Sequence, residues 1–499
     1  MPISLELREF GDPLLEFGGP GGFTDPREGL REGGPFDLRF GAARSERINV
    51  GLVGPTEMID RALNWFKRCG GRLPADTGKA NYPVFPGFEA VFRASINLDG
   101  RWTVAFEGAP SELDRALDET DSRERFDRVL DTYAVGIRRL ARLETTKPDI
   151  VICCLPDQVV DKCWSVDNSL TKEEKAAAAA MRKRREKPQL DLFDLQPVEE
   201  QPEDLLFRDF RRALKARAMR ERMPMQIATN ALFLDGEKGQ GPATRAWNSS
   251  VGLYYKAGGI PWRLKLDGPE TCFVGISFHH LRTTERHLVQ SSIAQAFSSQ
   301  GEGFALRGGN VDWTEGQGRN VHLTEAQARQ LADDILEEYR DRTGSVPLRV
   351  VLHKTSAFSE GEREGFRGAL ASVPLVELVN IMPTQFRLVR FGAYPPNRGT
   401  LCTVNGSAAY LFTTGYMPEL GTYPGPHIPT PAQIKSDEPI DLERAAKDIL
   451  GLTRMNWNTA GTTGGHPVTL SFARRVGGIM AEFGEGDGDK PLSSFRYYM

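Results

Sequence analysis

The chain has 499 residues, of which 40% are hydrophobic and 26% charged, and its formal net charge at pH 7 is −4. This composition is that of a globular protein, the length predicts two or three domains, and the charge excludes nucleic-acid binding through an overall positive field. The six cysteines form no Cys-x-x-Cys pair, which excludes the common zinc sites and favours a reduced, cytoplasmic setting. No apolar signal segment opens the chain, and no apolar run approaches the roughly 20 residues that span a bilayer.

The first part of the chain alternates predicted strands and helices. Residues 1–45 are rich in glycine and proline and are predicted to form loops and short strands. Strands are predicted at Ile48–Gly54, at Val91–Leu98 and within the apolar run Lys147–Pro156. Apolar residues recur at helical spacing along Glu124–Leu143, which predicts an amphipathic helix. This alternation favours a doubly wound α/β domain.

A charged segment at residues 165–205 interrupts the pattern. It begins with an alanine-rich helix-forming stretch, TKEEKAAAAAMRKRREK, and continues with the acidic stretch DLFDLQPVEEQPED. One interpretation is a solvated, mobile insertion. The other is a docking segment for a partner, because four apolar residues stand among the charges: Leu190, Leu192, Phe193 and Leu195.

The second half predicts another α/β unit. It contains an apolar strand at Cys272–Phe278 and a buried strand at Pro347–Thr355. Between them, Thr324 and Gln327 have the spacing of a capping box, and the helix that they open is predicted to end at Gly344. A mixed sheet with helices packed on it is the expected result.

A basic helix is predicted at Asp204–Arg222, just after the charged segment. Its sequence RDFRRALKARAMRER carries seven cations and two acids, a local excess of positive charge in an acidic protein: the cations are Arg208, Arg211, Arg212, Lys215, Arg217, Arg220 and Arg222. A solvated basic face is the simplest interpretation of such a helix.

Three neighbouring elements favour a binding site instead. Arg211 and Lys215 are four residues apart and therefore share one helix face, from which each charge-assisted hydrogen bond to a terminal phosphate would contribute about 1.5–3 kcal/mol. Gln226 follows on the next predicted strand, and Lys256 lies at the end of the next long helix. Cations and an amide on successive elements predict an anion site.

The motif WNSSVGLYYKAGGIPWRL, Trp247–Leu264, resembles the junction between the MID and PIWI domains of Argonaute proteins. The stretches FVGISF, VVLHKTSAFSEGE and HPVTLSFARRVGGIM follow in the order of PIWI elements. The opening LLEFG, DPREGL and GPFDLRF, together with the length, resembles the short prokaryotic Argonautes, which carry only MID and PIWI. The resemblance implies an α/β fold with a Rossmann-like MID domain at residues 1–265, followed by an RNase H-like PIWI domain at residues 266–499.

In that family the MID domain binds the 5′-phosphate of a guide strand. Arg211, Lys215, Gln226 and Lys256 match the positions of its phosphate pocket. Arg211 departs from the tyrosine or histidine that usually stands first in the set. The resemblance further implies a structural Mg²⁺ ion that bridges the guide phosphates and the protein, with Gln226 and the carboxylate of Met499 as its protein ligands.

The resemblance also points to missing catalytic acids. Slicing PIWI domains hold two Mg²⁺ ions with carboxylates, since this hard cation prefers anionic oxygen ligands. The matching positions carry Ser277, Thr355 and Arg474, two neutral hydroxyls and a cation. Glu302 matches the mobile glutamate of the family, but one carboxylate does not rebuild the site. A PIWI domain that does not cleave, and hence a protein that is not an enzyme, is the prediction.

Two other kinds of site are open at the end of the first PIWI-like strand. Ser277 as a nucleophile would need a partnered base, and no Gly-x-Ser-x-Gly elbow surrounds it. A metal site would use some of five histidines in this half: His279, His280, His287, His322 and His353. His279 and His280 are adjacent and point to opposite faces of a strand, so they do not both serve as ligands without a bend.

The resemblance implies a subunit that holds an RNA guide, reads a single-stranded DNA target by base pairing, and does not cut it. By the same resemblance it acts in prokaryotic antiviral defence with a heterodimeric partner, an APAZ-domain effector of TIR, sirtuin-like or nuclease type, and not with a membrane. The alternatives are a metal-dependent nuclease that cleaves the target itself and an unguided nucleic-acid-binding regulator.

Overall fold

The computed structural model describes residues 3–75, 83–167, 207–235, 240–266, 268–281, 289–298, 303–312, 322–389, 395–406, 408–421, 423, 429–462, 464–483 and 491–499. Most of the predicted insertion at residues 165–205 lies outside these ranges, as do Glu302 and His287. Of the helices described, none combines the length and apolar character that crossing a membrane requires.

The described strands are β1 (Leu5–Glu9), β2 (Leu15–Glu16), β3 (Gly22–Phe23), β4 (Arg47–Pro55), β5 (Ser95–Asn97), β6 (Thr103–Phe106), β7 (Ile150–Cys154), β8 (Ser165–Asp167), β9 (Phe207–Asp209), β10 (Met225–Ala228), β11 (Arg263–Leu264), β12 (Thr271–Leu281), β13 (Val289–Ser298), β14 (Gly303–Asp312), β15 (Arg349–Lys354), β16 (Leu375–Pro383), β17 (Thr400–Val404), β18 (Ala408–Leu411) and β19 (Ala432–Lys435).

The described α-helices are α1 (Pro26–Gly33), α2 (Thr56–Cys69), α3 (Phe88–Phe92), α4 (Glu112–Leu117), α5 (Ser122–Ala141), α6 (Asp157–Cys163), α7 (Phe210–Arg220), α8 (Asn230–Phe233), α9 (Pro242–Lys256), α10 (Glu325–Thr343), α11 (Glu360–Ala369), α12 (Leu442–Leu452), α13 (Val468–Ser471) and α14 (Ala473–Met480). Short 3-10 helices cover Phe36–Ala43, Gly100–Trp102, Pro418–Leu420 and Phe495–Tyr497.

The first half of the chain is built on a small parallel sheet. Its strand order is β10-β7-β4-β5, and β6 also pairs with β4. All of these pairs are parallel. β7 is buried at every residue, as expected for an apolar strand covered on both faces. The doubly wound, Rossmann-like arrangement predicted for this half is confirmed.

The second half is built on a nine-stranded mixed sheet with the order β1-β17-β18-β19-β16-β15-β12-β13-β14. The central strands β12, β15 and β16 are parallel, and β13 and β14 extend them antiparallel. This arrangement is consistent with the RNase H-like fold predicted for the second half. It brings the ends of β12 and β15 side by side.

Local sequence signals position the helices on this sheet. The predicted capping box is present, since the Thr324 side chain accepts from the backbone of Gln327, and α10 ends at Gly344 with φ 73°. Gly275 on β12 is required by a close approach, because a Cβ there would lie 1.9 Å from the carbonyl oxygen of Thr469. This contact seats α13 directly on β12.

The two sheets share one hydrophobic core. A single cluster of buried residues includes Leu52 of the small sheet, Trp247 of α9, Phe273 of the large sheet and Met499. A core that runs through both sheets fixes one half against the other. Side chains from distant parts of the sequence can therefore form one site.

The structure departs from the sequence predictions at Val91–Leu98 and at the first strand. Val91–Leu98 is not one strand, because α3 reaches Phe92, Arg93 adopts a left-handed conformation, and β5 begins at Ser95. The first strand, β1, does not belong to the half of the structure that its position in the sequence predicts. β1 pairs with β17 in the large sheet, although residues 1–265 were assigned to a MID domain; the boundary near residue 265 remains a prediction.

Candidate phosphate-binding site

Three elements of the first half converge on one pocket. Asp209 caps α7, where its side chain accepts from the backbone N–H of Arg212, and this start places Arg211 and Lys215 one turn apart on the helix. The basic helix begins at Phe210 and not at Asp204, because β9 precedes it. β10 carries Gln226, and α9 ends at Lys256.

Two buried lysines lie at the centre of this group of side chains. The Lys215 side chain donates to the carbonyl oxygen of Tyr498 at 2.9 Å and also to the main-chain oxygen of Met499. The Lys256 ammonium lies 3.3 Å from the side-chain oxygen of Gln226. The lysines are only 3% and 4% exposed, so nearly all of their charge is removed from water. The predicted pocket residues Lys215, Gln226 and Lys256 are therefore brought together, and Met499 joins them.

The lysines hold their charges at a high electrostatic cost. Burial, followed by the positive charges of Arg211 and Arg475, lowers the pKa of Lys256 from 10.5 to about 7. Burial is also the main reason that the pKa of Lys215 lies well below its ordinary value, and Arg211, Lys256 and Arg475 add to the effect. Four cationic groups crowded together, with hydrogen bonds to the Gln226, Tyr498 and Met499 oxygens at the two ammonium groups, favour an anion as a further neighbour.

Arg475 is a pocket residue that sequence reasoning did not single out. It lies on α14, more than two hundred residues after Lys256, and its side chain is exposed, as is that of Arg211. The two arginines thus stand on the solvent side of the buried lysines. The available signal was the pair Arg474–Arg475, but only Arg474 was assigned a role.

A glycine and a loop complete the walls. Gly252 lies one turn before Lys256 on α9, and a Cβ there would come 3.6 Å from the Gln226 side-chain oxygen and 4.0 Å from the Lys256 ammonium. Its missing side chain leaves space next to both groups. A loop of the second half that contains Trp457 packs beside α9, where the Trp457 and Tyr255 ring centroids are 4.4 Å apart.

The predicted Mg²⁺ ligands do not form a metal site by themselves. The Gln226 and Met499 oxygens both accept from lysine ammonium groups, and the surrounding cations oppose a further positive charge. Among the described residues, no group of three His, Cys, Asp or Glu side chains is arranged to hold a metal ion. The two oxygens fit Mg²⁺ only if phosphates arrive with it and supply the anionic ligands.

Ser277 and Thr355, two of the positions predicted to lack catalytic acids, lie beside each other at the centre of the large sheet. Ser277 and Thr355 each follow directly on a paired residue of the parallel strands, Ile276 and Lys354. The Ser277 hydroxyl is buried and has no hydrogen-bond partner. The backbone of Arg474 belongs to α14, but its side chain is outside the described ones. Two neutral hydroxyl groups therefore lie where the parallel pairing of β12 with β15 ends, although β12 itself continues to Leu281.

The nearby histidines that the structure describes are already engaged. His353 is buried, its ring lies 3.0 Å from the Thr469 hydroxyl, and burial is the main cause that lowers its pKa to about 3. His322 lies 3.1 Å from Glu362, whose carboxylate also accepts from the buried ammonium of Lys354 at 2.6 Å. The side chains of His279, His280 and His287 lie outside the described residues. His353 and His322 are therefore each held by a separate structural contact.

No family model matches the sequence, and no curated protein matches it. The fold is similar to solved Argonaute structures. Clostridium butyricum Argonaute bound to a guide DNA and a 19-mer target DNA is 12% identical, with a TM-score of 0.57, over 97% of this chain and 54% of that one. A. aeolicus Argonaute is 13% identical, with a TM-score of 0.54, over 98% of this chain and 55% of that one.

Drosophila Piwi is 13% identical, with a TM-score of 0.54, over 99% of this chain and 56% of that one. The chain thus spans about half the length of the solved structures that it matches. At these identities the likeness concerns the fold and not the chemistry. This chain has an Argonaute-like α/β fold.

Proposed function

We propose that this chain is the nucleic-acid recognition subunit of a prokaryotic defence system. It holds a guide strand by its 5′-phosphate, with RNA as the guide, and pairs the guide with a single-stranded DNA target. It does not cleave the target. The bound state activates a separate APAZ-domain effector of TIR, sirtuin-like or nuclease type.

The phosphate pocket carries the proposal. Lys215 and Lys256 are buried side by side with Arg211 and Arg475 close by, and both lysines have lowered pKa values. A terminal phosphate carries a charge of about −1.5 to −2 at pH 7 and three acceptor oxygens. It therefore supplies further negative charge and further acceptors to these ammonium groups. An internal phosphodiester, with a single charge, would compensate them less well.

The proposal of a non-cleaving protein is supported by the two residues that follow the parallel pairing of β12 with β15. Ser277 and Thr355 present hydroxyls where paired metal ions would need carboxylates. A Mg²⁺ ion belongs to the proposal only at the guide end, where Gln226 and Met499 would hold it together with phosphates. There it would neutralise phosphate charge, and it would have no role in bond cleavage.

The test compares 5′-phosphorylated and 5′-hydroxyl guides of the same sequence, as RNA and as DNA, by fluorescence anisotropy. Lys215→Ala, Lys256→Ala and Arg475→Ala each remove one charge-assisted contact to the phosphate. These substitutions are expected to lower the affinity for the phosphorylated guide by about 10- to 100-fold and the affinity for the hydroxyl guide much less. The matched control is Arg217→Ala, because Arg217 lies on the same helix but pairs with Asp131 at 3.1 Å.

Equal losses for both kinds of guide would contradict the pocket and indicate a general cationic surface. The same loaded protein is then given a labelled target with Mg²⁺ or Mn²⁺, and no cleavage product is expected. Cleavage that stops on chelation would favour the metal-dependent nuclease instead.

A further inference from the structure

The outermost strand of the large sheet is exposed along its whole length. β1 stands at one end of the strand order, and all five of its residues are exposed. Leu5 and Leu7 are 51% and 58% exposed, and Ile3 just ahead of them is 73% exposed. Natural edge strands are usually protected by charges, proline or a covering segment. Here alternate residues form an apolar stripe, Ile3, Leu5 and Leu7, which we call the edge stripe.

The main-chain groups beside the edge stripe point away from the sheet. The carbonyl oxygen of Ser4 accepts from the backbone N–H of Asn405 at 2.9 Å. Because bonded and unbonded residues alternate in an antiparallel pair, the even-numbered residues of β1 face β17. The N–H and C=O groups of Leu5 and Leu7 therefore face outward, and no described strand pairs with them.

One face of β1 carries exposed charged side chains. On that face Arg8 donates to Glu6 at 2.9 Å and also to Glu443 of α12. The edge stripe lies on the other face, where Leu7 is level with Cys402 and, across β17, with Tyr410. An apolar surface and a row of free main-chain groups thus meet along the same edge.

A cleft of about 250 Å³ lies at the end of β1. Phe10 and Tyr416 contribute aromatic walls, and the exposed carboxylates of Glu9 and Glu419 are part of its lining. The one arginine of the lining, Arg398, is buried and held by Asp12 at 2.6 Å. The Glu9 carboxylate accepts from the Asn397 side chain at 2.8 Å and keeps its negative charge. Aromatic rings beside the Glu9 and Glu419 carboxylates suit the stem and charge of a lysine or arginine side chain.

We propose that β1 is a docking edge for an extended segment of a partner protein. The segment adds to β1 as a further strand, its alternate apolar side chains cover the edge stripe, and a lysine or arginine enters the cleft. A second copy of this chain is the less favoured occupant, because the one cation of β1, Arg8, is already held by Glu6 and Glu443. The inference rests on the proposed function only for the identity of the partner.

The test selects a displayed library of random 12-residue peptides against the purified full chain, without guide. Enriched peptides are synthesised, and their affinities are measured for three variants. Leu5→Lys/Leu7→Lys places charges on the edge stripe, Glu9→Lys/Glu419→Lys reverses the charge of the cleft, and Val135→Lys is the matched control. Val135 lies on α5 and is 52% exposed, so it reports the effect of a lysine at an unrelated apolar position.

We expect peptides with alternating apolar residues and a basic residue near one end. Their affinity is expected to fall at least tenfold in the first two variants and to stay unchanged in the control. The inference is overturned if no peptide is enriched, or if the enriched peptides bind the edge variant as well as the unmodified chain. It is also overturned if light scattering shows a dimer that Leu5→Lys/Leu7→Lys dissociates. Because no guide is present, failure of the phosphate pocket would not affect these results.

Discussion

The pocket predicts that binding of a 5′-phosphorylated guide weakens as the pH rises from 7 to 9. Lys256 has a pKa of about 7 in the empty pocket, whereas a bound dianion would return it towards its ordinary value of 10.5. That difference is worth about 5 kcal/mol at 1.36 kcal/mol per unit. Binding above pH 7 therefore takes up a proton, since only the ammonium form compensates the phosphate.

The size of the effect follows from the protonated fraction. About half of the Lys256 side chains are protonated at pH 7 but only about 1% at pH 9, so the affinity is expected to fall by about 50-fold. Lys215, whose pKa is also lowered by burial, steepens the decline if it too takes up a proton. Below pH 6 the phosphate loses its own second charge, and the useful range is therefore pH 6.5 to 9.

The assay is fluorescence anisotropy with a phosphorylated and a hydroxyl guide at each pH. Lys256→Arg is the matched variant, because a guanidinium remains protonated throughout this range. Its absolute affinity can change, but the slope with pH should flatten. A decline of less than threefold in the unmodified protein, or an equal decline for the hydroxyl guide, would refute the assignment of Lys256 as a titrating phosphate ligand.

Two further predictions concern a pocket wall and the N-terminal segment. Gly252→Glu places a carboxylate beside Lys256 and should remove the preference for phosphorylated guides, while adding up to about 1 kcal/mol of helix stability. Gly252→Gln is the neutral control of similar size and should retain most of that preference. Anisotropy measures the preference, and thermal melting measures the stability. Asp12→Asn should lower the free energy of unfolding by about 3–5 kcal/mol at pH 7, because it removes the charge that holds the buried Arg398 and Arg454. Burial raises the pKa of Asp12, but the two arginines outweigh it and hold that pKa below 3.8, so the difference should persist at neutral pH and shrink as the pH falls below 3.8. A melting temperature equal to that of the control Asp99→Asn, which breaks a partly exposed pair with Arg101, would contradict this role.

Local patterns in the sequence predicted much of the fold, because helices and buried strands depend on near neighbours. The capping box of Thr324 and Gln327 is an example, and so is the apolar run that forms β7. Val91–Leu98 misled because Phe88 and Phe92 pack as a helical turn, and only tertiary contacts decide between that turn and a strand.

The site was only partly predictable for a related reason. Arg211 and Lys215 share a helix face, so their spacing can be read directly. Arg475 meets them only because the common core holds α14 against α7, and no periodicity connects residues so far apart in sequence. The pairing of β1 with β17 is equally non-local, and the resemblance that placed the junction after residue 256 carries no information on it.

The shared construction of the phosphate pocket has a consequence for turnover of the protein. Its positive charges come from both halves of the chain, so that without a bound anion their mutual repulsion opposes the packing of one half on the other. An anion at a hundred times its Kd would add about 2.7 kcal/mol to the folded state. We therefore expect protein molecules without a ligand to unfold more often and to be cleaved more readily by proteases. The number of intact protein molecules would therefore fall when the ligand is scarce and be maintained when it is abundant, with no separate control of synthesis.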